Sequence, residues 1–288
     1  MVTNKVALVT DTTACIRPSQ VEKYDIKVVP VNFIFGDKVY RDGIDMSPTE
    51  FYARLREVEE IPTTSGSLPE PYLEAFLKAG RKASNILCIT ISAKLSAMFN
   101  SALLAKEMAK ESLPKVTIEV LDCGTAAAGE GLVVLAAAKN AASGGDLAEV
   151  VQTARYVMTR VSVFADLDTL YYLVKGGRVP RAAGLVNSVL KIKPIFTISQ
   201  GEAHTVALPR STKGVLKQIL RIMERKVSKG QRFHVAVMHA DALDKAKLLK
   251  SQISAKFNCT ELFITEFTPV MGVHTGPGLV GVAFYGED

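Results

Sequence analysis

Small hydroxyl side chains gather in three short stretches of this 288-residue chain. Thr12 and Thr13 follow an apolar run at 6–9. Thr63, Thr64, Ser65 and Ser67 share one loop. Ser92 and Ser96 bracket a turn after a second apolar run at 85–92. Ser and Thr loops ahead of helix starts offer hydroxyls and free backbone N–H groups, and together these hold an anion without a formal positive charge. The same residues would serve equally well as plain helix N-caps. A second feature is Gly272-Val273-His274-Thr275-Gly276-Pro277-Gly278. It reads as a tight turn that fixes one imidazole, able to donate to an oxyanion or to move a proton. A solvent-exposed turn histidine is the alternative. Ser96 with His274 would suit acyl hydrolysis, yet the G-x-S-x-G elbow is missing and no motif places an acid behind the histidine.

Other candidates weaken on context. Lys175-Gly176-Gly177-Arg178 lacks the G-x-x-x-x-G-K-[ST] pattern of a phosphate loop. Gly276-Pro277-Gly278-Leu279-Val280-Gly281 has the letters of a dinucleotide fingerprint but runs into a strand instead of opening a helix. No cofactor is therefore expected, ATP included. His234 and His239 are five apart on one strand and face opposite sides, so no shared metal is expected. His204 carries no pattern.

The elements that must position these groups follow from periodicity and punctuation. Strands are expected at 6–9, 26–35, 85–92 and 116–121, with Pro30 marking an edge or a break. Ser47-Pro48-Thr49-Glu50 is a capping box that opens a helix over 48–57. Further helices are expected at 69–79 (closed by Gly80), 96–111, 126–142 and 147–160. This alternation predicts a doubly wound, mostly parallel sheet, whose strand C-termini share one ligand-binding edge. All three hydroxyl stretches fall on that edge. Beyond 160 the texture changes. Helices are expected at 170–174, 182–190, 211–229 and 243–256, and strands at 191–199, 233–239, 262–267 and 279–285. The fold class is thus α/β in two domains, 1–162 and 163–288. The second is a mixed α/β unit, the ligand lies between the two, and the chain is free to cross from one to the other.

Composition narrows the function further. A chain that is 48% hydrophobic and 22% charged buries a core and is not disordered. The net charge of +6 is spread without a basic arm, so no nucleic-acid partner is expected, while an anionic ligand or an acidic protein surface fits. With no Trp and 7% aromatics, a stacking groove is disfavoured. Cys15, Cys88, Cys123 and Cys259 show no C-x-x-C spacing and read as reduced thiols, pointing to the cytoplasm. The first apolar run is too short for a signal peptide, and no stretch is long enough to span a membrane.

Several motifs in order carry a resemblance. They are VTDTTA at 9–14, PTTS at 62–65, SAKLSAMFNSA at 92–102, LDCGTAAAGEG at 121–131, LVKGGRV at 173–179, KIKPIF at 191–196 and GVHTGPGLVG at 272–281. The chain resembles the DegV family of bacterial lipid-binding proteins over nearly its whole length. The resemblance implies two α/β domains enclosing a long-chain fatty acid. It also implies a non-catalytic subunit that presents the acyl carboxylate to a separate ATP-dependent kinase subunit. The acyl phosphate would feed phospholipid synthesis, with transient contact at a membrane surface. It assigns Thr64 and Ser96 to the carboxylate, His274 to a place beside it, and Ser65, Ala97, Thr275 and Gly276 to the supporting loops. Arg210 is assigned to the phosphate near the pocket mouth. The chain departs from the family pattern at Gly66-Ser67, Ala97, Cys123 and Thr212. Tunnel-lining candidates are Met98, Phe99, Leu103, Leu104, Phe164, Leu170, Leu190 and Phe196; the runner-up function is acyl hydrolysis by Ser96 and His274, and a third is lipid sensing without a kinase.

Overall fold

The computed structural model describes residues 3–65, 68–178, 192–226 and 231–287. The first half runs β1 (Thr3–Asp11), α1 (Pro18–Lys23), β2 (Lys27–Val29), β3 (Asn32–Phe35), β4 (Lys38–Arg41), α2 (Pro48–Leu55), β5 (Thr63–Thr64), α3 (Glu70–Gly80), β6 (Ala83–Thr90), α4 (Met98–Ser112), β7 (Thr117–Asp122), α5 (Ala128–Ala142) and α6 (Leu147–Met158). Strands β2-β1-β6-β7 form a parallel sheet in that order. Their side chains alternate between two covered faces, as both-sides-buried parallel strands require. Val9, Ile86 and Cys88 pack with Tyr72 and Phe76 of α3 and Ala102 of α4. Leu8, Leu87 and Ile89 pack the other way, against Leu132 and Val133 of α5 and Val150 of α6.

The expected strand at 26–35 is two strands in different sheets. Pro30, lacking an N–H, stands at the break. β2 extends the parallel sheet, while β3 joins β4 and β5 in a small antiparallel sheet of order β4-β3-β5. Gly80 does not terminate α3 in a left-handed turn. It is the last helical residue, and a Cβ there would press on Leu113 at 2.8 Å.

The second half runs β8 (Ser162–Asp166), α7 (Tyr171–Lys175), β9 (Ile195–Ser199), β10 (Glu202–Ala207), α8 (Thr212–Lys226), β11 (Phe233–His239), α9 (Leu243–Ser254), β12 (Cys259–Glu266), α10 (Pro269–Thr275) and β13 (Val280–Gly286). Six strands pair in the order β10-β9-β8-β13-β11-β12. Only β11 and β12 are parallel. One face carries α8 and α9 through Val215, Ile219, Leu249 and Ile253. β10 was not expected from sequence; the two-residue turn Gln200-Gly201, both at positive φ, folds it back on β9. The expected helix at 182–190 and the first residue of the expected strand at 191–199 lie outside the described residues.

α5 joins the halves. Every residue from Ala128 to Ala138 is buried, because the helix touches β1 and β6 on one side and β8, β11 and β13 on the other. A helix whose buried stretch is Ala, Gly, Val and Leu, with Glu130 as its one acid, suits a place between two sheets. Among the described residues, no helix is long and apolar enough to cross a membrane.

Candidate functional site

After β1 the chain turns to β2 on one side, and after β6 it turns to β7 on the other. The β1–β6 seam is therefore the point where strand order reverses, and the loops leaving those strands part to form a crevice. A cavity of about 260 Å³ lies there. Its walls include Thr13 after β1, Ile91 and Ser96 after β6, Met271 of α10, and Phe196 and Met238 of the six-stranded sheet. The lining is mostly apolar, and hydroxyls are concentrated on the loops.

Three residues form a polar wall. Thr64 is held in β5 by pairing with Phe33, and Ser65 N donates to Asn32 O at 3.2 Å. His274 sits in the last turn of α10 instead of in the turn expected from sequence. Pro269 opens that helix, and Gly276 at φ +65° ends it. Arg178 follows Gly177, whose φ of +68° turns the chain beyond α7. A Cβ on Gly176 would lie 2.5 Å from His274 Nδ1, so glycine lets this loop abut the imidazole. His274 Nε2 is 3.4 Å from Thr64 Oγ1, and Arg178 Nη2 donates to the same oxygen at 3.4 Å.

Loss of water around the ring, reinforced by the Arg178 charge, pushes the His274 pKa down to about 4. The imidazole is neutral at neutral pH. Its Nδ1 is buried and has no hydrogen-bond partner among the described residues. A proton there would be left unpaired, so the proton belongs on Nε2, facing Thr64. Thr64 Oγ then accepts from both neighbours and keeps its own proton to donate. On the outer side of the same wall a second cavity of about 380 Å³ is lined by Glu59, Glu60, Tyr171 and Lys175 together with Thr64, Arg178 and His274.

Ser96, Ser65, Ala97 and Thr275 all line the inner cavity. Ser96 does not cap α4; the cap position is Ala97, which has no side-chain bond to give. Plain N-capping therefore accounts for neither Thr64 nor Ser96. Gly276 supports from behind, where a Cβ would strike the Tyr172 ring at 2.1 Å. Arg210 is exposed in the loop before α8 and does not line the cavity. The basic residue at the polar wall is Arg178, which sequence reasoning passed over because Lys175-Gly176-Gly177-Arg178 failed as a phosphate loop.

Of the expected tunnel-lining residues, Phe196 lines the cavity. Met98 and Phe99 pack on the α3–α4 side of the parallel sheet, and Leu103 and Leu104 are exposed. Phe164 faces α8, and Leu170 packs on the core surface. Helical and strand periodicity identifies buried residues but not which buried face borders a void. Leu190, like Gly66 and Ser67, lies outside the described residues.

Beneath the cavity lies a buried acid pair that sequence reasoning missed. Thr13 Oγ1 lies within hydrogen-bond distance of Asp11 Oδ1 and of Glu130 Oε2, the latter at 2.8 Å. One hydroxyl carries one proton and cannot donate to two carboxylates. One of the acids must therefore be protonated and donate to Thr13. Asp11 already accepts from Thr13 N at 3.0 Å, Tyr72 Oη at 3.2 Å and Ile91 N at 3.4 Å. Thr10 Oγ1 donates to Glu130 at 3.2 Å. Burial, then the charge of Asp11, pushes Glu130 well above the usual carboxylate range, so Glu130 holds the proton. Among the described residues no three His, Cys, Asp or Glu side chains gather as a metal site would need.

Comparisons with known proteins agree with this architecture. The chain is 34% identical over 288 residues to a DegV domain-containing protein of Clostridium acetobutylicum, covering 98% of this chain and 99% of that one. A DegV family protein from Thermus thermophilus, described as fatty-acid binding, has a similar solved structure. Its TM-score is 0.90 at 27% identity, covering 98% of this chain and all of the other. DegV from Bacillus subtilis, described as a fatty acid binding protein, matches with a TM-score of 0.88 at 25% identity over 98% and 99% of the two chains. The DegV family profile matches residues 5–287, so the seam, the polar wall and the three sheets described here are those of a chain that belongs to the DegV family.

Proposed function

We propose that this chain binds a long-chain fatty acid in the seam between a unit formed by 1–162 and one formed by 163–288. Its carboxylate would lie at Thr64, Ser96 and His274. The observation that carries this reading is a mostly apolar cavity closed at one wall by the Thr64 and Ser96 hydroxyls, a neutral imidazole and the Arg178 guanidinium. Burying an acyl chain gains about 0.8 kcal/mol per CH₂, so sixteen carbons give on the order of 12 kcal/mol before binding costs. The tail can supply affinity, and the wall needs only to offset the desolvation of one carboxylate. The Thr64 and Ser96 hydroxyls can donate to it, while His274 Nε2–H and Arg178 donate to Thr64 and turn its proton outward.

On this reading the outer cavity is where a phosphoryl donor, held by a separate ATP-dependent kinase subunit, meets the carboxylate. Arg178 and Lys175 are cations that line that cavity, and Arg210 is left for the partner's surface. The chain supplies no chemistry of its own. Acyl hydrolysis is not favoured, because no acid among the described residues stands behind His274 Nδ1. Transient membrane contact and a cytoplasmic site accord with loading a lipid from a bilayer.

Native mass spectrometry of the purified protein tests the core of the proposal. A co-purified or added palmitate or oleate should appear as a one-to-one complex; absence of both rejects it. Ser96→Ala should weaken that complex, whereas a hydrolase would lose ester turnover. A sensor without a kinase partner would bind lipid yet yield no acyl phosphate with any ATP-dependent subunit.

A further inference from the structure

One apolar wall of the cavity is a face of the six-stranded sheet, and strand alternation decides which residues build it. Register pairs Phe196 with Ala165, Ala165 with Gly281, and Gly281 with Met238. The four form one row across β9, β8, β13 and β11. Phe164, Val282 and Val237, one position along, turn to the opposite face and pack with Val215 and Ile219 of α8. Phe196, Ala165 and Met238 line the cavity; Gly281, between them, does not.

Met238 covers Gly281. A Cβ built on Gly281 would lie 2.8 Å from Met238 Cε and 2.7 Å from Ala165 Cβ. Gly281 is not at positive φ, so no turn requires it. A mid-strand glycine weakens a sheet and marks a close approach. Here the approach is double: the same Cβ would meet the Phe164 carbonyl oxygen at 2.5 Å. Glycine lets β8 and β13 run close, and it leaves a slot on the cavity face. The end of the Met238 side chain lies sideways in that slot instead of standing upright in the cavity.

We propose that the Met238–Gly281 pair sets the depth of the cavity and hence the length of acyl chain it accepts. The proposal rests on the fatty-acid reading above and names the residues that give it specificity. Methionine is unbranched and its thioether adapts to irregular space, so its end follows chains of different length at small cost. A branched or rigid side chain at 238 has no end to lay across Gly281 and projects toward the ligand.

The test is competitive loading. Protein freed of lipid is exposed to an equimolar mixture of saturated fatty acids from laurate to arachidate, and native mass spectrometry reads the bound distribution. Met238→Ala removes three heavy atoms and should move the most abundant chain up by about three methylenes. Met238→Leu and Met238→Phe should move it down. Melting curves identify which variants are folded, and Met238→Leu, which conserves volume, is the substitution a core tolerates best. An unchanged distribution in folded variants overturns the proposal and leaves the fatty-acid reading intact. A wild-type protein that takes up none of the mixture removes both.

Discussion

Replacing Thr64 by Val keeps its shape and deletes the one hydroxyl that both Arg178 and His274 address. A hydrogen bond to a charged group is worth about 1.5–3 kcal/mol. Fatty-acid affinity should therefore fall by about ten- to a hundredfold, read by displacement of a fluorescent acyl probe. An unchanged affinity would move the carboxylate away from this wall. His274 makes a second prediction through pH. Its folded pKa is about 4, below the 6.5 of an unperturbed imidazole. Between those values the unfolded chain binds the proton and the folded one does not, so this group costs stability as pH falls from 6.5 towards 4. Melting temperatures of His274→Gln should decline less steeply than wild type across that window. Parallel curves would mean that the imidazole is not desolvated.

At the level of elements, α10 is the mount that gives His274 its place. Gly272 lets it lie on α2: a Cβ there would be 2.6 Å from a Phe51 ring carbon and 2.8 Å from Tyr52 Oη, and that hydroxyl donates to Phe267 O at 3.2 Å. Gly272→Ala should cost about 1–3 kcal/mol by overpacking and weaken ligand binding as well, because the helix must shift with its histidine. Loss of stability with undiminished binding would show that His274 is not held by this contact. A control lies far from the cavity. Asp146 and Glu149 cap α6 reciprocally, each bond at 2.9 Å. Asp146→Ala should lower stability by about 1 kcal/mol, measured by urea titration, and leave binding unchanged.

At the scale of the whole molecule, α5 ties the two sheets together, and Glu130 is its buried link to β1. Because Glu130 keeps its proton in the fold, its contribution is fully present below the ordinary glutamate pKa and is lost as pH rises from there toward its raised value. Glu130→Gln mimics the protonated form. Its melting temperature should equal or exceed that of wild type at pH 8 and depend less on pH. A large loss at every pH would mean that Glu130 is ionised in the fold.

Much of this was legible from residue order. The apolar runs at 85–92 and 233–239 are strands because their side chains must be covered on both faces, and Ser47 opens α2 by accepting from Glu50 N, although the Glu50 carboxylate pairs with Arg54 and does not complete the expected capping box. The hydroxyls after β1 and β6 fall at the switch point because doubly wound sheets gather strand C-termini on one edge; Thr64 reaches the cavity instead from β5 of the small antiparallel sheet. Local chemistry and periodicity decide such features. Tertiary structure alone decided that Thr64 and His274, 210 positions apart, share a hydrogen bond, that Arg178 joins them, and that Thr13 sits between two acids. Burial, donor counting and the space over Gly281 arise from residues distant in the chain, and no local pattern encodes which of them will meet.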